Sequence, residues 1–264
     1  MNNIPTVVKA RGLCNRIKTY MSLLCEYEQV NTQVYADSYI FPQIQYNENP
    51  VNEVCGWRLK VLPEEEKYIK NYKTIDLLYE KTPHYFIDKY LKCIDKLEID
   101  PGILEYVDDF IKDWDDVIGV HIRTWHSDGH RSLWHHNSIF EEEIDKFPID
   151  KKIFLCSDNP ETIKYFLEKY SERIILHPQK LHETFLGQIH PYDQYHNDIQ
   201  LITDGFIDCL LLSKCDTIIG TWGSTFTEVA WWLSKCKSNV IIHKSPNITS
   251  KDGEDFFYIK MIYG

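Results

Sequence analysis

Two polar side chains close an apolar run in Val117-Ile118-Gly119-Val120-His121-Ile122-Arg123. His121 and Arg123 alternate with Ile122, so on an extended chain they share a face. A guanidinium so placed suits a phosphate or carboxylate, because its planar fork donates paired hydrogen bonds. A core hydrogen bond for His121 and a surface salt bridge for Arg123 would explain the same residues. Two other segments offer complementary groups. Gly12-Leu13-Cys14-Asn15 follows the first apolar run; glycine lets a ligand approach the backbone, and a helix start offers free N–H groups. A plain structural turn fits it too. Gly223-Ser224-Thr225 precedes a helical pattern and presents N–H groups and hydroxyls in the same way. It lacks the lysine of a P-loop, so nucleotide hydrolysis is not implied. Thr225 and Glu228 also have the spacing of a capping box.

Asp208 stands among Phe206, Ile207, Cys209, Leu210, Leu211 and Leu212. A carboxylate in apolar surroundings needs a partner. A guanine edge with its N–H donors is one, and an N–H or arginine of the protein is another. His126, His130, His135 and His136 crowd one loop, but no companion Cys or carboxylate pattern fixes a metal geometry. No metal site and no cofactor are expected. Neither a Gly-x-Ser-x-Gly elbow nor a GxGxxG after the first strand is present, which leaves hydrolase and dehydrogenase readings without support.

The 264-residue chain carries a net charge of −11, which argues against a nucleic-acid partner. Its 43% hydrophobic and 14% aromatic content predicts a folded core. The eight cysteines form no CxxC and sit mostly in apolar segments. Buried, reduced thiols are therefore expected and a disulfide framework is not. With no signal-peptide pattern and no apolar stretch of the ~20 residues a membrane span needs, the expectation is a soluble, cytoplasmic chain.

The elements that must position these groups read as follows. Thr6 to Ala10 is a strand, Arg11 to Arg16 a tight turn, Ile17 to Val30 an amphipathic helix and Gln33 to Ala36 a second strand. Residues 38–60 look irregular, and 63–114 helical and charged, with breaks near Pro83 and Pro101. The remainder alternates: strands at 117–122, 152–156, 174–176, 217–219 and 240–243, helices at 138–147, 160–170, 198–213 and 225–234. The long polar loops 124–136 and 178–197 lie between. This predicts an α/β fold with two Rossmann-like halves: residues 1–115, and residues 116–264 as a doubly wound parallel sheet.

In this order, Arg11-Gly12-Leu13-Cys14-Asn15-Arg16-Ile17, Gly119-Val120-His121-Ile122-Arg123, and Ile207 to Asp216 followed by Gly220-Thr221-Trp222-Gly223-Ser224-Thr225-Phe226 resemble the GDP-fucose-dependent fucosyltransferase superfamily (the α1,2, α1,6 and protein O-fucosyltransferase groups). The resemblance covers the second half well and only the opening loop of the first. It implies a GT-B-like pair of halves, the first on the glycan-acceptor side and the second on the nucleotide-sugar side. It further implies an inverting, metal-independent transfer from GDP-fucose. By this analogy Arg123 holds the β-phosphate, His121 and Asp208 meet the nucleoside, and Gly12, Cys14, Asn15, Gly223, Ser224 and Thr225 line the donor site. Cys14 replaces a second glycine of the family, and Thr124-Trp125-His126-Ser127-Asp128 delays its acidic residue. Asp128 is the first candidate base, before His126 and His130. Tyr192, Tyr195 and His196 are candidates for an acceptor groove. Another nucleotide-sugar donor, or a non-catalytic binding module of the same fold, fits the same segments.

Overall fold

The computed structural model describes residues 4–9, 12–54, 88, 91–123, 136–178, 198–221 and 224–242. They form two parallel sheets. The first has four strands in the order β3-β2-β1-β4: β1 (Thr6–Val7), β2 (Asn31–Thr32), β3 (Gln45–Tyr46) and β4 (Glu53–Val54). Its helices are α1 (Leu13–Leu24) and the short α2 (Tyr35–Ile40). Ile17, Tyr20, Met21 and Leu24 bury the face of α1 that their helical spacing predicts. α3 (Pro101–Phe110) follows, with Asp100 Oδ1 accepting from the backbone N–H of Gly102 and Ile103. Proline at the first helical position needs no such partner, so the predicted break near Pro101 is a helix start.

The second sheet has five strands in the order β7-β6-β5-β8-β9: β5 (Ile118–Ile122), β6 (Ile153–Ser157), β7 (Ile174–Ile175), β8 (Thr217–Gly220) and β9 (Asn239–Ile242). The helices α4 (Asn137–Ile144) and α5 (Pro160–Tyr170) cover one face, where Phe140, Ile144 and Phe166 meet Val120, Ile122 and Leu155. The helices α6 (Ile199–Leu212) and α7 (Thr225–Leu233) cover the other. That second face shares its buried cluster with the first half. Met21 and Phe41 pack in the same cluster as Phe206 and Trp232, and the Phe41 and Phe206 rings lie 5.1 Å apart.

Several sequence expectations are corrected. α1 starts at Leu13, so the expected tight turn is its first helical turn, with Gly12 as an extended N-cap. The expected strand at Gln33–Ala36 is instead the entry to α2. There the Thr32 hydroxyl accepts from the Val34 N–H at 2.9 Å and turns the chain out of the strand. Two short strands lie in the stretch read as irregular. Not all thiols are free: Cys25 at the end of α1 is bonded to Cys93, whose Cα is 5.4 Å away. Residues far apart in sequence made this pair invisible to spacing. Cys14, Cys156, Cys209 and Cys215 are buried thiols as expected. Among the described residues no helix is long and apolar enough to cross a membrane.

Candidate functional site

β5 and β8 are neighbours, yet their connections leave toward opposite faces, β5 to α4 and β8 to α7. This is the switch point of a doubly wound sheet, where a crevice opens outside the strand ends. Arg123 stands at that point, directly after β5. Thr221, fully buried after β8, clamps the two strand ends: its hydroxyl donates to the His121 carbonyl at 2.8 Å and accepts from the Arg123 N–H at 2.9 Å. At the end of β6, Asp158 places a carboxylate oxygen 3.8 Å from the Arg123 guanidinium, with both side chains about a quarter exposed.

The start of α7 faces the same crevice. Ser224, not Thr225, is its N-cap, accepting from the Phe226 N–H at 3.3 Å. Glu228 therefore does not close a capping box. It is fully buried and bonded to Lys18 of α1 at 2.6 Å, with the Trp232 indole N–H donating to its other oxygen at 3.4 Å. Gly220 explains how α7 comes so near. A methyl group there would lie 2.8 Å from Thr227 Oγ1 and closer still to its methyl. Thr227 in turn holds His121, Oγ1 to Nδ1 at 2.9 Å, and the His121 ring stacks on Phe226 at 4.6 Å. His121 is thus buried and engaged with α7.

From the other half, α1 brings its first turn to the same place. Cys14 is buried against Cys209 of α6, whose thiol reaches the Phe226 carbonyl at 3.7 Å. Burial pushes the thiols of Cys209 and Cys156 well up, so both are inert at neutral pH. The buried Oδ1 of Asn15 has no hydrogen-bond partner among the described residues. The next residue, Arg16, makes a buried bidentate pair with Asp37 of α2 at 2.6 and 2.7 Å. Tyr20 donates to Asp37, and its hydroxyl also meets the Thr32 hydroxyl at 2.7 Å. The starts of α1 and α7, each carrying the partial positive charge of a helix N-terminus, therefore lie at the strand ends where β5 delivers Arg123. That arrangement binds anions.

Asp208 lies on α6 beneath the ends of β6 and β7. Its partner is one that sequence reading did not name: His177, buried just after β7, with Nδ1 2.9 Å from the carboxylate. Tyr106 and Phe110 of α3 set their rings at steep angles to the imidazole, 5.7 and 6.1 Å away. Burial, then the Asp204 and Asp208 carboxylates, pushes the Tyr106 phenol up, so it stays a neutral donor. Asp158 and His177 obey the rule that singled out Arg123, each standing where an apolar strand ends. Lys18 left no such signal.

Cys14, Asn15, His121, Arg123, Asp208, Ser224 and Thr225 are brought to the strand ends, with Gly12 capping α1. Gly223, His126, Asp128, His130, Tyr192, Tyr195 and His196 lie outside the described residues. His136, from the histidine-rich loop, caps α4. Among the described residues no group of three or more His, Cys, Asp or Glu side chains is placed to hold a metal ion.

No protein-family model matches the chain, and no curated protein matches it. Solved structures do. The fucosyltransferase NodZ from Bradyrhizobium superposes with a TM-score of 0.53 at 15% identity, over 92% of this chain and 98% of that one. NodZ α-1,6-fucosyltransferase co-crystallised with GDP gives 0.52 and 15%, over 92% and 97%. The likeness is one of fold. The two parallel sheets with their helices form the GT-B-like α/β arrangement that the segments resemble.

Proposed function

We propose that the chain is a glycosyltransferase that moves fucose from GDP-fucose to a glycan hydroxyl, with inversion at the sugar C1 and without a metal. The observation that carries this reading is the placement of Arg123 at the switch point of the second sheet, at the strand ends from which α7 also starts. A cation beside a helix N-terminus at such a crevice suits a pyrophosphate. The crystal form of NodZ with GDP supports the choice of nucleotide.

The chemistry follows from charge. An acceptor oxygen attacks C1 as the C1–oxygen bond to GDP breaks, and negative charge grows on the departing β-phosphate. Arg123 and the two helix N-termini stabilise that charge in place, without reorganising at the moment of reaction. Asp158 steadies the guanidinium, and Thr221 fixes its backbone. Asp208, held by His177, takes the nucleobase end; His177 follows β7, which lies two strands and thus about 10 Å from β5 and Arg123. A base removes the acceptor proton and contributes ~10²–10⁴-fold. Asp128, followed by His126, is assigned that role, on the segment directly after Arg123.

Calorimetry with GDP, UDP and ADP, followed by GDP release from GDP-fucose with and without a glycan mixture, tests the reading. Preference for GDP and acceptor-stimulated release are expected. Equal or absent nucleotide binding sinks the donor assignment.

A further inference from the structure

Three tyrosines on the first half are exposed where a folded chain would ordinarily cover or scatter its rings. Tyr35 and Tyr39 lie four residues apart on one face of α2, and Tyr46 ends β3. They are 39, 48 and 41% exposed. Tyr35 meets Tyr39 at 5.0 Å and Tyr46 at 5.3 Å, both edge to face, and the Tyr35 and Tyr39 hydroxyls are hydrogen-bonded at 2.9 Å. The opposite side of α2 buries Ala36, Asp37 and Ile40.

Position gives this cluster its meaning. Tyr35 follows the carboxyl end of β2, and Tyr46 is the carboxyl end of β3. β1, whose end leads to Gly12 and α1, is the next strand along. The tyrosines therefore continue the rim that carries the anion cradle, one and two strands away, or roughly 5 and 10 Å. The buried Arg16–Asp37–Tyr20 network ties α2 to the first turns of α1, which fixes the rings relative to the cradle.

We propose that Tyr35, Tyr39 and Tyr46 form the platform on which the acceptor saccharide lies. A pyranose presents a face of C–H groups carrying slight positive charge, which matches the negative face of an aromatic ring. Its hydroxyls are matched by the phenol oxygens at the ring edges. Tyrosine supplies this contact at little entropic cost, having few rotatable bonds. The occupant's identity as an acceptor rests on the glycosyltransferase reading above. The platform itself rests on the rings.

The test is a printed array of defined glycans probed with the labelled full chain, with and without saturating GDP. The expected result is a defined set of retained glycans, weakened roughly tenfold or more by Tyr35→Ala/Tyr46→Ala. GDP affinity should stay at the unsubstituted value, and the melting temperature should fall only by the modest amount that losing two ring contacts implies. Tyr35→Phe/Tyr39→Phe keeps the rings and should keep most of the retention, which a loss of fold would not. If the double alanine variant fails to fold, Tyr39→Ala alone carries the test, because its ring is the most exposed of the three. Retention of no glycan by the full chain, or of the same glycans equally by the alanine variants, overturns the platform. Retention that depends on the tyrosines in a protein that binds no GDP supports the platform while sinking the donor reading.

Discussion

Replacing Lys18 with methionine should cost far more than a surface lysine would. Lys18 and Glu228 are both wholly buried, 2.6 Å apart, and they join α1 of one half to α7 of the other. Lys18→Met removes the ammonium group that lies 2.6 Å from the buried Glu228 carboxylate. The expected loss is about 3–5 kcal/mol, a large share of the ~5–15 kcal/mol that holds a typical domain folded. At ~2–4 °C per kcal/mol for a chain of this size, the melting temperature falls by roughly 6–20 °C. Adding Glu228→Leu removes the carboxylate itself. The 3.4 Å bond from the Trp232 indole N–H to Glu228 is lost with it, which costs about 1–3 kcal/mol. The double variant is thus expected to be more stable than Lys18→Met alone. Urea unfolding followed by tryptophan fluorescence on all four members of the cycle measures the coupling. A loss below about 1 kcal/mol in the single variant, or two losses that merely add, would refute the reasoning.

Other outcomes follow from the same geometry. Arg123→Ala should weaken GDP binding roughly 10–100-fold by calorimetry, since a charge-assisted pair is worth about 1.5–3 kcal/mol; unchanged affinity removes Arg123 from the site. Gly220→Ala should destabilise by about 1–3 kcal/mol in thermal unfolding, because its methyl must displace Thr227 and with it the His121 contact. Cys93→Ser should cost about 2–4 kcal/mol, as the bond to Cys25 spans 68 residues, and thiol titration of the denatured chain should gain two thiols on reduction. Burial pushes the Cys236 thiol up to about 12, so its native alkylation should be slow at pH 8 and quicken as pH rises toward that value. Rapid labelling at pH 8 would count against its burial.

What the sequence disclosed depended on the length of each pattern. β5 and β6 are five-residue, mostly apolar buried strands and α5 and α6 have more than two helical turns, so both patterns are legible. The two-residue strands of the first sheet have no period to read. Arg123 could be found because a cation at the end of an apolar run is conspicuous. Asp158 follows the same rule, but the Asn159-Pro160 beside it signals a helix cap and hides it. Lys18 and Glu228 were beyond reach for a different reason: their burial is produced by the other half of the chain, which no local window contains. The tyrosine cluster likewise exists only once α2 is a helix lying beside β3.

The hydrophobic cluster that runs from Val7 and Met21 through Phe206 to Val229 and Trp232 belongs to neither sheet alone. It makes the two halves unequal to independent parts. A chimera that joins the first half of this chain to the second half of a relative must match Phe41 to Phe206 and Lys18 to Glu228 as well as the crevice at the strand ends. Evolution is held to the same terms. Exposed rings such as Tyr39 can change freely, whereas α1 and α7 must change in concert. The seam between the halves, more than the crevice above it, therefore limits which parts of this molecule can be exchanged.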